Sequence, residues 1–332
     1  MNHYLVPALR DVDILFRPFV HRKIQLKGRI VVATIPNAGI PDSIVRDYRD
    51  TALIITEPLA IDDPAAAATA DSPVFSGGTV LRQWRGRCRA VHCLDCKIAP
   101  LLYHAGMARN AAGFTSPEAI PPAGPSGIHP ITLQQVAEPM SRKRMEEIKA
   151  SFGRAAANAK VLGFDAVEIH GCGGFLIEQF LWKETNKRTD EYGGSLVGRV
   201  RFACEVVHAV RKAVGRNFPI IFRLAQWKSD HSEERLVYTA REMEELLHPL
   251  CDAGVDIFHC SATHYARPAL DGNPLTLAAW VRMLTGKPTI AAGGIRHPKH
   301  ATFSEALLRL LHAAAFDLIS INDNTEEAEA KE

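Results

Sequence analysis

The run Val167-Glu168-Ile169-His170-Gly171-Cys172-Gly173-Gly174-Phe175 holds the residues best placed to do chemistry in this sequence. A short apolar stretch ends in a histidine and breaks into a glycine-rich loop. A long polar segment through Asn186, Arg188, Asp190 and Tyr192 follows. Parallel α/β barrels keep their chemistry on polar residues at the C-terminal ends of strands. His170 in that position suits acid–base work or hydrogen bonding to a ligand near neutral pH. The competing reading is a structural histidine at a strand end. Glu168 shares a strand face with His170 by alternation and lies deeper, which points to a buried ion pair. Gly293 and Gly294 end another apolar run, where backbone N–H groups can approach a phosphate. His104 and the Arg188/Asp190/Tyr192 loop read as structural. Tyr265, near Arg267, reads as a solvated loop residue.

The elements that must position these groups alternate in type. Apolar runs at 29–35, 52–58, 97–104, 166–171, 220–226, 256–262, 288–295 and 317–322 read as strands. Helical periodicity fills 80–92, 142–162, 196–214, 239–253, 275–284 and 301–314. Eight strands interleaved with helices predict an α/β fold closed as a (β/α)8 TIM barrel. An open doubly wound sheet is the alternative. It calls for a phosphate loop after the first strand, and Pro36-Asn37-Ala38-Gly39 is not one.

The chain reads as one barrel domain over 1–332. An irregular Pro/Gly/Ser-rich excursion occupies 111–139, and a polar tail occupies 323–332. That tail is too short and charged for an eighth helix, so the last helix is expected to be missing. The N-terminal segment or a partner chain must then cover the outer face of strands one and eight.

Composition narrows the function class. With 47% hydrophobic and 23% charged residues, the 332-residue chain has ample core. A net charge of +2 gives no reason to expect nucleic-acid or membrane binding. No signal peptide is apparent, so the cytoplasm is the expected compartment. A homo-oligomer is compatible with these features. Seven scattered cysteines argue against a disulfide framework. The Cys93-Leu94-Asp95-Cys96 pair lacks a second pair and reads as incidental thiols, with redox or metal chemistry as the alternative.

The motifs resemble the old yellow enzyme family of FMN-dependent ene reductases. The match runs in order through Leu26-Lys27-Gly28-Arg29-Ile30, Leu53-Ile54-Ile55-Thr56-Glu57, Tyr103-His104-Ala105-Gly106, the 166–195 run, Arg223 and Thr285-Gly286-Lys287-Pro288. The resemblance implies FMN at the C-terminal ends of the barrel strands. NAD(P)H is the implied reductant and an activated alkene, a small molecule, the implied substrate. It makes His170 a catalytic residue that binds the substrate carbonyl. It makes Arg223 the cation beside the flavin ring, and it sets Gly293 and Gly294 near the phosphate. For Arg223 the competing reading is an ion pair with Glu57 or Glu168.

The departures from the family pattern are specific. Gly173 replaces the second carbonyl-binding residue, and Phe175 replaces the proton-donating tyrosine. Leu101 replaces a flavin-contacting glutamine. Pro36 replaces a threonine or cysteine near the flavin. Asn322 and Asp323 replace the Gly-Arg pair that grips the phosphate. Weak or lost FMN binding is therefore expected. Two other readings stay open: a flavin-free barrel enzyme using His170 for isomerisation or cyclisation, and a relative without catalysis.

Overall fold

Apolar runs too short for helices become parallel strands of four to ten residues that bury both faces and close on themselves. The computed structural model describes residues 12–35, 50–109, 121–228, 231–295 and 303–322. In chain order the elements begin with α1 (Asp13–Phe16), β1 (Phe19–His21), β2 (Ile24–Leu26), β3 (Ile30–Ile35) and β4 (Thr51–Ala60). Then come α2 (Gly78–His92), β5 (Lys97–Tyr103), α3 (Arg142–Leu162), β6 (Val167–His170), α4 (Leu176–Leu181) and α5 (Leu196–Val214). Next are β7 (Ile220–Ala225), β8 (Trp227–Lys228), β9 (His231–Arg235), α6 (Ala240–Ala253), β10 (Ile257–Ser261), β11 (Pro268–Leu270) and β12 (Asn273–Thr276). The described chain ends with α7 (Leu277–Thr285), β13 (Thr289–Ala292), α8 (Glu305–His312) and β14 (Leu318–Asn322).

β3, β4, β5, β6, β7, β10, β13 and β14 form a closed barrel in that order, with β14 pairing back to β3 in parallel. Each sequence-predicted strand is one of these, with ends moved by a few residues. The run at 288–295 stops at Ala292 because Gly293 takes φ +120°. The expected helix at 275–284 starts later, since Leu275 belongs to β12 and Thr276 caps α7 through Ala279 N. α6 begins with a reciprocal capping box between Thr239 and Glu242, which satisfies two backbone donors.

Alternation splits the strand side chains into two cores. Val31, Leu53, Ala99, Ala166, Ile221, Ile257, Ile290 and Leu318 point inward, and the neighbouring positions pack under the helices. The β1–β2 hairpin inserts Phe19, Ile24 and Leu26 into the inner cluster. It plugs the N-terminal end, so the barrel opens only toward the C-terminal ends of its strands. Sequence reading missed this hairpin. Its signal was the alternation of Phe19, Ile24 and Leu26 around Arg22-Lys23.

α1 packs against α8. Ile14 and Leu15 join the outer cluster with Ile30, Val32, Ile319 and Ile321. An N-terminal segment thus covers the outer face of β3 and β14. Gly28 permits the approach, because a Cβ there would lie 2.9 Å from the Leu15 carbonyl oxygen. The expected tail at 323–332, and with it the missing last helix, lies outside the described residues. So do 110–120 of the expected excursion; its remainder folds back through Val136 N and Ala137 N onto Gly127 O.

Candidate functional site

Parallel register sets the mouth of the barrel. His170 on β6 pairs with Arg223 on β7, and Arg223 pairs with His259 on β10. Inward alternation therefore puts His170, Arg223 and His259 side by side, with Glu168 one layer below. The first three line or underlie the C-terminal opening. A cavity of about 360 Å³ opens there, lined by His170, Cys172, Gly173, Arg223, Ala225, Trp227, Lys228, Ser261, Ala262 and Thr263. That volume is in the range of small-molecule pockets.

His170 is buried, and burial together with the charges of Arg223 and His259 holds its pKa well below 6.5. It is neutral at pH 7. Its Nδ1 lies 3.7 Å from Cys172 Sγ. Burial raises the Cys172 thiol to about 12, so the S–H is retained and donates. That contact leaves the proton on Nε2. His170 can then offer a neutral N–H donor to a carbonyl. Phe175 packs edge-on against the His170 ring, with centroids 4.9 Å apart, and also against Tyr103 at 4.8 Å.

Arg223 is 7% exposed, and its Nε is buried without a hydrogen-bond partner. Among the described residues it forms no ion pair, which overturns the pairing with Glu57 or Glu168. Glu168 instead bonds His259, Oε1 to Nδ1 at 2.7 Å, with both side chains fully buried. Glu168 is buried and paired as expected, but by a hydrogen bond to His259, whose pKa burial holds below 6.5, instead of by an ion pair. His259 was legible only as an inward position of Ile257-Phe258-His259-Cys260-Ser261.

Lys228 was also missed. It is 4% exposed, lines the same cavity, and its Nζ has no hydrogen-bond partner among the described residues. Ser320 Oγ is similarly buried without a partner on β14. An unpaired buried cation is costly. Two at one opening mark a place built for something negative or electron-rich.

Gly293 and Gly294 leave β13 with φ of +120° and +65°. A Cβ on Gly293 would lie 2.1 Å from Ala262 O, so the chain turns there only with glycine. Gly171 is similarly required, since a Cβ would meet the Phe222 ring at 2.6 Å. Gly173 has φ +75° beside His170. Leu101 is fully buried in the inner cluster, and its backbone N donates to Thr56 Oγ1 at 3.1 Å. Pro36 and Asp323 lie outside the described residues, and so does the side chain of Asn322.

The remaining candidates are structural. His104 contacts Asp63 through Nε2 at 3.2 Å and accepts from Gly106 N at 2.9 Å through Nδ1. Arg188 grips both Asp190 oxygens, at 2.9 and 2.6 Å, and bonds the Pro125 and Met140 carbonyls. Tyr192 donates to Glu205. This network pins the loop after β6 to segment 121–140. Tyr265 is not solvated, as expected from its loop, but 8% exposed, with its hydroxyl 2.7 Å from Ser304 Oγ. Cys96 is buried and Cys93 exposed, and no metal-ligating cluster occurs among the described residues. No described helix is long and apolar enough to cross a membrane.

Comparison with known proteins places the chain in a family. The profile of the NADH:flavin oxidoreductase / NADH oxidase family matches residues 14–310. A metal reductase of Desulforamulus reducens is 37% identical over 227 residues, 64% of this chain and 33% of that protein. A probable flavin mononucleotide-dependent alkene reductase of Leishmania infantum is 31% identical over 63% of both chains. The chain thus spans a third of the first relative's length and under two thirds of the second's. Morphinone reductase shares the fold, with a TM-score of 0.74 at 24% identity over 93% of this chain and 85% of its own.

Proposed function

The chain belongs to the NADH:flavin oxidoreductase / NADH oxidase family, and from that premise we propose that it is an FMN-dependent oxidoreductase reducing an activated alkene with NAD(P)H. FMN, when bound, supplies the hydride for the alkene β-carbon. The observation that carries this reading is Arg223, buried with an unpartnered Nε beside the cavity that His170 also lines. A fixed cation there stabilises negative charge on an adjacent electron-accepting ring. Gly293 and Gly294 are the backbone groups that would face the phosphate.

His170 polarises the substrate. Its Nε2–H donates to the carbonyl oxygen and draws electron density from the conjugated alkene. Being neutral at pH 7, it holds that donor role without titrating. Phe175 brings no proton. The α-carbon therefore takes its proton from water entering the cavity, and chemistry is slower than with a placed acid.

FMN is held less tightly than by a relative with every family contact. Leu101 offers no side-chain hydrogen bond, and one lost contact is worth about 1–3 kcal/mol. The free state of all seven cysteines suits a reducing compartment, and cytoplasmic residence is part of the same reading. The test is an FMN titration followed by the visible spectrum, then anaerobic NAD(P)H oxidation coupled to an enone. Stoichiometric FMN on isolation would refute weak holding. No uptake at millimolar FMN would refute the oxidoreductase reading and favour acid–base chemistry on His170.

A further inference from the structure

Lys228 is not absorbed by that mechanism. It lies just past β7 on the short β8 strand, five residues beyond Arg223. Its side chain is nearly inaccessible, yet its Nζ has no hydrogen-bond partner among the described residues. Trp227 beside it is also buried and is stacked by Arg267, whose guanidinium carbon lies 4.5 Å from the indole centroid. The strand carrying Lys228 is thus held in place from outside. No carboxylate is among the described residues that line the cavity, which gathers Arg223 and Lys228 with the hydroxyls of Ser261 and Thr263. Burying an ammonium that no carboxylate of the described residues pairs opposes folding. A bound anion would relieve that cost.

We propose that Lys228 is the recognition cation for a carboxylate on the substrate, so that the preferred substrate is an activated alkene bearing both a carbonyl and a separate carboxylate. The proposal rests on the oxidoreductase reading for its alkene. His170 takes the carbonyl and Lys228 takes the carboxylate from the same cavity. The other anion available is the FMN phosphate. Gly293 and Gly294 follow β13, which β10 separates from β7 in the barrel. The Lys228 end of the opening is therefore left to the substrate.

Calorimetry with 3-oxocyclohexene-1-carboxylate and its methyl ester tests this on the protein as isolated. The native chain should bind the acid at least roughly tenfold tighter than the ester, as one charge-assisted contact provides. Lys228→Met should erase that ratio, and Lys228→Arg should keep it. Equal binding of acid and ester, binding of neither, or a ratio surviving in Lys228→Met each overturns the proposal. FMN and riboflavin uptake are read on the same preparations by visible absorption. If Lys228→Met removes a preference for FMN over riboflavin, Lys228 serves the phosphate and the substrate role is refuted. Flavin uptake without acid–ester discrimination sinks the Lys228 proposal alone. Discrimination without flavin uptake sinks the oxidoreductase reading alone.

Discussion

The imidazole of His259 meets the carboxylate of Glu168 inside the barrel, Nδ1 to Oε1 at 2.7 Å, with neither side chain exposed. Glu168 lies one layer below Arg223 and His259 beside it, so the pair ties β6 to β10 across β7. Glu168 Oε2 and His259 Nε2 have no hydrogen-bond partner, so each group depends on the other. Glu168→Ala should destabilise the protein by about 2–3 kcal/mol, as loss of a buried hydrogen bond to a charged group does. Glu168→Gln keeps an acceptor and should cost less. Urea denaturation of both variants measures this; equal stabilities would show that the contact contributes nothing.

Arg223 should show opposite effects on stability and on flavin. Arg223→Met removes a buried cation that forms no ion pair among the described residues, so the flavin-free protein should melt higher. The same change should lower the potential of bound FMN by roughly 20–60 mV, the equivalent of about 1–3 kcal/mol for two electrons. Melting curves and a spectroelectrochemical titration provide the two readouts. A potential that does not move counts against Arg223 as the cation beside the ring.

Phe175 lies edge-on to His170. Phe175→Tyr should place a hydroxyl near the alkene and raise the rate of its reduction by roughly a hundredfold, the low end of what a positioned acid contributes. Single-turnover reoxidation by an enone measures that step. A rate unchanged in Phe175→Tyr would mean that proton delivery does not limit reduction.

The two glycines after β13 should differ. Gly293→Ala forces a Cβ to 2.1 Å from a backbone carbonyl at φ +120°, and strain of this kind costs about 1–3 kcal/mol or more. Gly294→Ala meets the His264 side chain at 3.2 Å, which can move, and the Thr263 carbonyl oxygen only at an ordinary contact distance of 3.7 Å. Thermal melting should rank Gly293→Ala below Gly294→Ala. The reverse order would contradict the close approach of Gly293 to Ala262.

Acid should weaken the fold in two stages. Burial, the largest cause in each case, holds His104, His170 and His259 below their usual 6.5. The unfolded chain then binds protons that the folded chain refuses. Their contribution is complete above pH 6.5 and falls as pH drops below it. Asp63 behaves as a paired carboxylate: burial opposes ionisation, but hydrogen bonds from His104 and Arg144 outweigh it and hold the group well below 3.8. Its contribution is lost only below that pH. Melting temperatures from pH 8 to 3 should fall first below about 6.5 and again below about 4. A flat profile down to pH 5 would show that these histidines titrate as they do in the unfolded chain.

The sequence by itself determined the strands, most of the helices and the barrel, because each is a local pattern: an apolar run of strand length, a 3.6-residue period, or a cap such as Thr239. It also picked out His170, which ends an apolar run with a polar group, whereas Arg223, inside the run 220–226, was named through the family resemblance. What Arg223 and Glu168 face was not legible. Both are charged, and sequence logic paired them; the barrel paired Glu168 with His259, 91 residues away, because β10 lies beside β7. Lys228 carried no signal in the sequence, because its burial depends on the fold around β8. The β1–β2 hairpin was not legible as an element, because Phe19, Ile24 and Leu26 gain their meaning only by packing into the inner cluster of the closed barrel. Burial and pairing across a closed sheet depend on which strands become neighbours, and that is decided when the barrel closes.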